Sequence, residues 1–158
     1  MVKKQGWIGV DFDGTIFTYH GWVGWNVFGE PIVPMIDRIK SWLQEGREVR
    51  IVTARVGLPI FDGVSDPIPG YYRRHSCRVT GERFSDADMV RAIQAHLVEH
   101  GLPALAVQCH KGADMIELWD DIAVQVVPNT GQTLGDAHEA ELSALKGEVF
   151  EASHNTRT

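Results

Sequence analysis

VDFDGTIF, residues 10–17, sets two aspartates one residue apart at the end of an apolar run and follows them with Gly-Thr. Asp11 and Asp13 repel one another when both are ionised, and burying either is costly unless a cation or a proton accompanies it. The stretch therefore predicts something positive close by. The residues that lead into it, Trp7 to Phe12, are nearly continuous in apolar side chains, as expected of a parallel strand covered on both faces.

Outward from this strand, helical and strand-like patterns alternate. A helix is predicted over 34–45, where Ile36, Ile39 and Leu43 recur at helical spacing, Met35 and Trp42 widen the stripe, and Gly46 supplies the stop. A second strand, EVRIVT, covers 48–53. A second helix spans 86–100, with Ser85 and Asp88 at capping-box spacing, Met89, Ile93 and Leu97 on one face, and Gly101 at its end. Short strands follow at 104–108, 116–119 and 122–127, then a closing helix over roughly 136–150 and a polar, frayed tail at 151–158. Alternation of this kind implies an α/β fold of Rossmann-like type, a doubly wound parallel sheet with helices on both faces. One domain over 1–150 accounts for the pattern, with 56–84 as a loop or small flap insertion.

Composition narrows the function classes. The chain has 158 residues and a formal net charge of −6, which argues against broad binding to nucleic-acid backbone or to an anionic membrane surface. A small anionic ligand at a local basic site remains compatible with that charge. Only two cysteines, Cys77 and Cys109, and no N-terminal apolar segment of signal-peptide length predict a reduced, cytoplasmic setting. No apolar run approaches membrane-spanning length.

In doubly wound sheets, ligands sit beyond the carboxyl ends of the strands. That rule gathers Asp11 and Asp13 after the first strand, Thr53 and Arg55 after the second, His110 and Lys111 after the third, and Asp120 and Asp121 after the fourth. Four carboxylates, a hydroxyl and fixed cations suit a hard divalent metal holding a phosphate. Mg²⁺ prefers oxygen ligands and is commonly held by one or two carboxylates plus substrate phosphate. One aspartate is then available to attack phosphorus, its neighbour to protonate the leaving oxygen, and Thr53 and Lys111 to hold the phosphoryl oxygens.

In this order, DFDGT, then the strand-terminal Thr of IVTAR, then Lys111 in CHKG, then WDD, the residues resemble the four motifs of the haloacid dehalogenase superfamily of phosphohydrolases. The resemblance runs from Trp7 to about Gly131, and GEPIVPMIDRIKSWLQEGREVRIVTAR and ELWDDIAVQVVPNTG look like small phage and bacterial members. It implies Asp11 as nucleophile, forming an aspartyl-phosphate and ligating Mg²⁺, and Asp13 as general acid and then base, giving its backbone carbonyl to the metal. Thr53 and Lys111 would bind the transferring phosphoryl group. Asp121 would be a direct metal ligand with Asp120 beside it, while Gly14 would permit the turn and Thr15 brace it. Members that act on carbon–halogen bonds lack the second Asp, so Asp13 favours phosphoryl transfer. The expected activity is a Mg²⁺-dependent phosphatase acting on a small phosphorylated substrate, a nucleotide being the narrower expectation. Lys111 lies only nine residues before Asp120, so Arg55 and Arg78 stay open as alternative cations. Neither 17–34 nor 56–84 has the length of a full cap domain, which implies an open site.

Other readings stand beside these. Arg73, Arg74, Arg78 and Arg83 beside Tyr71, Tyr72 and Phe84 could form a flap that grips a nucleotide or polynucleotide end, or a small hairpin with ordinary surface arginines. Trp22 and Trp25 suit packing against the sheet end or stacking on a base. His75, Cys77, Cys109 and His110 could be assembled into a zinc site, although they lack the Cys-x-x-Cys spacing. Against a hydrolase stand a metal- and phosphate-binding module without turnover and a two-component receiver domain. The receiver's acidic pair comes first along its chain, whereas here Asp120 and Asp121 come last.

Overall fold

A computed structural model describes residues 6–57, 74–136, 138, 139 and 141. The chain divides into two compact units, Met1–Asp121 and Ile122–Thr158. The first holds a four-stranded sheet of β1 (Trp7–Val10), β2 (Glu48–Val52), β5 (Ala106–Gln108) and β6 (Met115–Trp119), in the order β5-β2-β1-β6. All three pairings are parallel, as the buried apolar run of β1 predicts. This is a Rossmann-like α/β arrangement.

β1 is central because it has nothing to show to water: its four residues are all buried. α1 (Val33–Gln44) leads from β1 to β2, and α2 (Asp86–Glu99) leads from β2 to β5. Both crossovers step the same way along the sheet, so right-handed connections set both helices on one face, in place of the helices on both faces that the alternation implied. There Ile8, Val10, Val49 and Ile51 meet Ile36 and Ile39 of α1 and Met89, Ile93 and Leu97 of α2 in one core.

Helix ends follow local chemistry. Pro34 sits in the first turn of α1, where its missing N–H costs nothing. α2 opens with a full capping box, Ser85 Oγ accepting from Asp88 N and the Asp88 carboxylate accepting from Ser85 N at 2.8 Å. α2 ends in a Schellman turn in which Leu102 N donates to Leu97 O at 2.9 Å and Gly101 N to Val98 O at 3.1 Å. Leu97 and Leu102 are both buried there. Gly46 closes α1 in the same way, its N–H on Leu43 O and that of Arg47 on Trp42 O.

Within the region read as a loop or hairpin, β3 (Arg74–Ser76) and β4 (Arg83–Ser85) form an antiparallel hairpin, and β4 hands Ser85 directly to α2 as its cap. Residues 58–73, with Arg73, Tyr71 and Tyr72, lie outside the described residues.

One strand expectation is overturned. Residues 122–127 form no ladder; a single bridge joins Val126 to Thr133, and Ile122, Val124 and Val126 are exposed. Alternating apolar residues make a strand only when a neighbour supplies a run of backbone partners, and here residues 132–134 supply only two bonds, Val127 N to Gln132 O and Leu134 N to Gln125 O. In the same unit Thr133 N donates to the Asp136 carboxylate and Asp136 N to Thr133 Oγ1, a reciprocal cap before helical residues 134–136. The closing helix starts slightly before the predicted position, at 134, and residues 138, 139 and 141 are helical too; residues 142–150 and the 151–158 tail lie outside the described residues. No described helix is long and apolar enough to cross a membrane.

Candidate active site

The register of β1 and β6 builds the site. Val10 pairs with Trp119, and Asp11 N donates to Trp119 O at 2.8 Å, so Asp11 and the Asp120–Asp121 pair leave their strands at the same level. The chain after Asp11 then folds back at once: Ile16 and Phe17 both donate to Phe12 O at 3.1 Å, and Gly14 N donates to Phe17 O at 2.7 Å. This tight turn swings Asp13 and Gly14 toward the end of β6.

Gly14 shows how close that approach is. Its φ is +82°, and a Cβ built on it would lie 2.4 Å from Asp121 Oδ2 and 2.8 Å from Asp121 Cγ. Only a residue without a side chain admits the Asp121 carboxylate and takes this backbone conformation without strain.

Four carboxylates thus converge. Asp11 responds most: its carboxyl is pushed up to about 7, first by burial and further by the charges of Asp120, Asp13 and Asp121, against the hydrogen bond from Phe12 N. Such a group either keeps a proton or accepts a cation. All the donors are hard oxygens, which suits Mg²⁺ and not a soft metal.

Asp13 has its own cation. Arg55 Nε donates to Asp13 Oδ2 at 2.5 Å and Nη2 to Oδ1 at 2.7 Å, a two-pronged fork with the Arg55 side chain only 5% exposed. The guanidinium lies over the rings of Trp22 at 4.8 Å and Phe28 at 4.9 Å, and its Nη1 is buried with no hydrogen-bond partner. Thr53 sets this up: it is buried at the end of β2, its N–H donates to Gln108 O, and its Oγ1 accepts from Arg55 N at 3.2 Å. The hydroxyl thereby fixes the turn that brings Arg55 back over the site.

Lys111 stands apart. It is exposed, and the next residue, Gly112, packs on the Trp7 ring at the start of β1. Arg55 is the cation that pairs with Asp13.

A cleft of about 340 Å³ opens beside them, lined by Thr15, Ile32, Met35, Arg38, Trp119 and Asp121 among others. The Arg38 guanidinium lies 4.7 Å from the centroid of the Trp119 ring. Thr15 Oγ1 is buried without a hydrogen-bond partner. Arg38, Trp119 and Phe28 were not singled out as site residues by sequence reasoning, whereas Trp22 was weighed there as packing or base-stacking. Trp119, directly before the acidic pair, carried a signal; Arg38, on the polar side of α1, carried none.

Trp22, Trp25 and Phe28 pack on the protein, whereas Tyr19 is exposed. Trp22 covers Arg55, and Trp25 stacks on Phe84 at 5.1 Å with an interplanar angle of 6°. His75, Cys77, Cys109 and His110 do not assemble a metal site among the described residues. His75 Nε2 bonds Asp86 Oδ1 at 2.8 Å, and Cys77 is buried with its thiol lowered to about 6 by hydrogen bonds from Thr80 and Trp22.

No family model matches the chain, and no curated protein or solved structure matches it.

Proposed function

We propose that the protein is a Mg²⁺-dependent phosphomonoester hydrolase working through an aspartyl-phosphate on Asp11. The observation that carries this reading is the convergence of Asp11, Asp13, Asp120 and Asp121 where β1 and β6 end, with Gly14 making room for Asp121. Asp11, Asp120 and Asp121, with the backbone carbonyl of Asp13, would hold the metal. The ion supplies charge neutralisation, drawing Asp11 into its ionised form and balancing the phosphoryl oxygens.

An ionised Asp11 oxygen attacks phosphorus, the bond from phosphorus to the leaving oxygen breaks, and that oxygen takes a proton from Asp13. Asp13 then takes a proton from water, which attacks the acyl-phosphate and releases phosphate and free Asp11. Thr53 is a further phosphoryl contact that the motif order suggests; Lys111, which the same order names, would have to reach in from its place apart from the carboxylates. Arg55 joins them through Nη1, the guanidinium donor not engaged with Asp13. A phosphate in the site competes with Asp13 for the guanidinium, and Asp13, once released, takes up a proton from solvent and can then give it to the leaving oxygen.

A second reading rests on the same fork: a module that holds metal and phosphate without turnover, Asp13 staying locked to Arg55. The two separate in one experiment. Phosphate release is measured with and without Mg²⁺ on an aryl phosphate, nucleoside monophosphates, sugar phosphates and a 3′-phosphorylated oligonucleotide, with Asp11→Asn as blank. Release that needs Mg²⁺ and vanishes in Asp11→Asn supports the hydrolase and ranks its substrates. Metal and phosphate binding without release supports the module.

A further inference from the structure

The last turn of α2 reads His96-Leu97-Val98-Glu99-His100, and residues four apart on a helix share a face. The two imidazoles meet edge to face with centroids 4.5 Å apart. One ligand atom from each of His96, Glu99 and His100 lies within 4.8 Å of the other two, the one such group among the described residues. We propose that this turn is a binding site for a late first-row divalent cation, Zn²⁺ being the type case, with His96, Glu99 and His100 as its ligands.

Ring packing and hydrogen bonding orient His96 for the task. Its ring is wedged against Phe17 at 4.4 Å and Phe28 at 5.0 Å, and its Nε2 faces Gly29 O at 3.4 Å. The carbonyl can only accept, so Nε2 carries the proton and Nδ1 keeps its lone pair. Nδ1 faces Glu99 Oε2 at 3.7 Å, on the open side of the cluster. A backbone carbonyl on the far nitrogen is the device by which proteins fix a metal-ligating imidazole. Burial also pushes the His96 pKa below 6.5, which keeps the ring neutral and able to ligate near pH 7.

A tetrahedral ion with ligands at about 2.0–2.2 Å needs its donor atoms about 3.4 Å apart, so the group must close by an ångström or so. Glu99 has a side chain 73% exposed and is free to swing in. His100 is the C-cap of α2, where the negative end of the helix dipole favours a cation. Lys40 of α1, whose ammonium lies over Gly101, works against it. Two imidazoles and one carboxylate are borderline donors, unlike the all-oxygen set around Asp11, and three protein ligands leave a fourth position for water.

The test is titration of the EDTA-stripped full chain with Zn²⁺ in competition with a chromogenic chelator, together with NMR of the imidazole protons. With excess Mg²⁺ present to occupy the carboxylate site around Asp11, one equivalent should bind, with the His96 and His100 resonances shifting first among the seven histidines. His100→Ala and the exposed Glu99→Gln should each weaken binding by about tenfold or more, whereas Asp121→Asn should leave it unchanged. The NMR arm reads the unmutated chain, so it stands even if His100→Ala folds poorly. Absence of saturable binding, shifts confined to other histidines, undiminished binding in folded His100→Ala, or loss in Asp121→Asn would each overturn the site.

Discussion

Adding one methyl group at Gly14 tests whether the site depends on the approach of Asp121. In Gly14→Ala the new Cβ would stand 2.4 Å from Asp121 Oδ2 and 2.8 Å from Cγ, whereas non-bonded carbons rest at about 3.5–4.0 Å. The carboxylate must retreat by about an ångström. The φ of +82° adds an independent cost of about 1–2 kcal/mol for any residue with a Cβ. At roughly 2–4 °C per kcal/mol for a chain of this size, the backbone cost alone lowers the melting temperature by several degrees. Displacing a metal-side carboxylate by an ångström lowers phosphate release by about a hundredfold. The three atoms nearest the new Cβ all belong to Asp121, so in an Asp121→Ala background only the backbone cost should survive. The cycle of Gly14→Ala, Asp121→Ala and the double variant, followed by thermal melts, should show a coupling of about 0.5–3 kcal/mol. Equal losses in both backgrounds, or an unperturbed Gly14→Ala protein, would refute the close approach.

In metal-free protein, the raised pKa of Asp11 means that the native state holds a proton which the unfolded chain has released between about pH 4 and pH 7. Stability should therefore fall as pH rises through that window, and Asp11→Asn should remove this part of the slope and be the more stable at pH 8; urea midpoints in EDTA check it, and an unchanged slope refutes it. Arg55→Met leaves the Asp13 carboxylate, itself only 18% exposed, without its cation, and should cost about 3–5 kcal/mol in urea unfolding. Arg55→Met with Asp13→Asn should recover most of that loss, and a cost below about 1 kcal/mol in the single variant would show the fork to be loose. Ser85→Ala should lose about 1 kcal/mol through the opened capping box, with the amide of Asp88 exchanging faster by hydrogen exchange.

The parts of the fold legible in the sequence are those whose signal is local and periodic. Trp7–Val10 had no polar face, α1 and α2 carried their stripes and stop glycines, and Ser85 and Asp88 announced their box. What depended on distant partners was not legible. The alternation of Ile122, Val124 and Val126 is strand-like, but a strand exists only beside another strand's free backbone, and nothing local reports that absence. The strand-end rule grouped Asp11, Asp13, Asp120 and Asp121, yet it could not say that Arg55 would take Asp13 or that Asp121 would meet Gly14. Those outcomes are set by the Thr53 turn and by the φ of Gly14. Lys111 was placed by its order in the chain, whereas its position is decided by how the short connection between β5 and β6 crosses the sheet at Trp7.

The pairing of Val10 with both Ile51 and Trp119 carries a consequence for the order of events in folding. β1, α1 and β2 are neighbours in the chain and can form early, bringing Arg55 to Asp13 while Asp11 has only that half of the site around it. β6 comes from the far end of the same unit, and parallel pairing across so long a loop is slow. The repulsion of Asp11 by Asp120 and Asp121 is thus not met during early assembly. It is concentrated in the final docking of β6, and that is the step whose rate a divalent ion in solution should change.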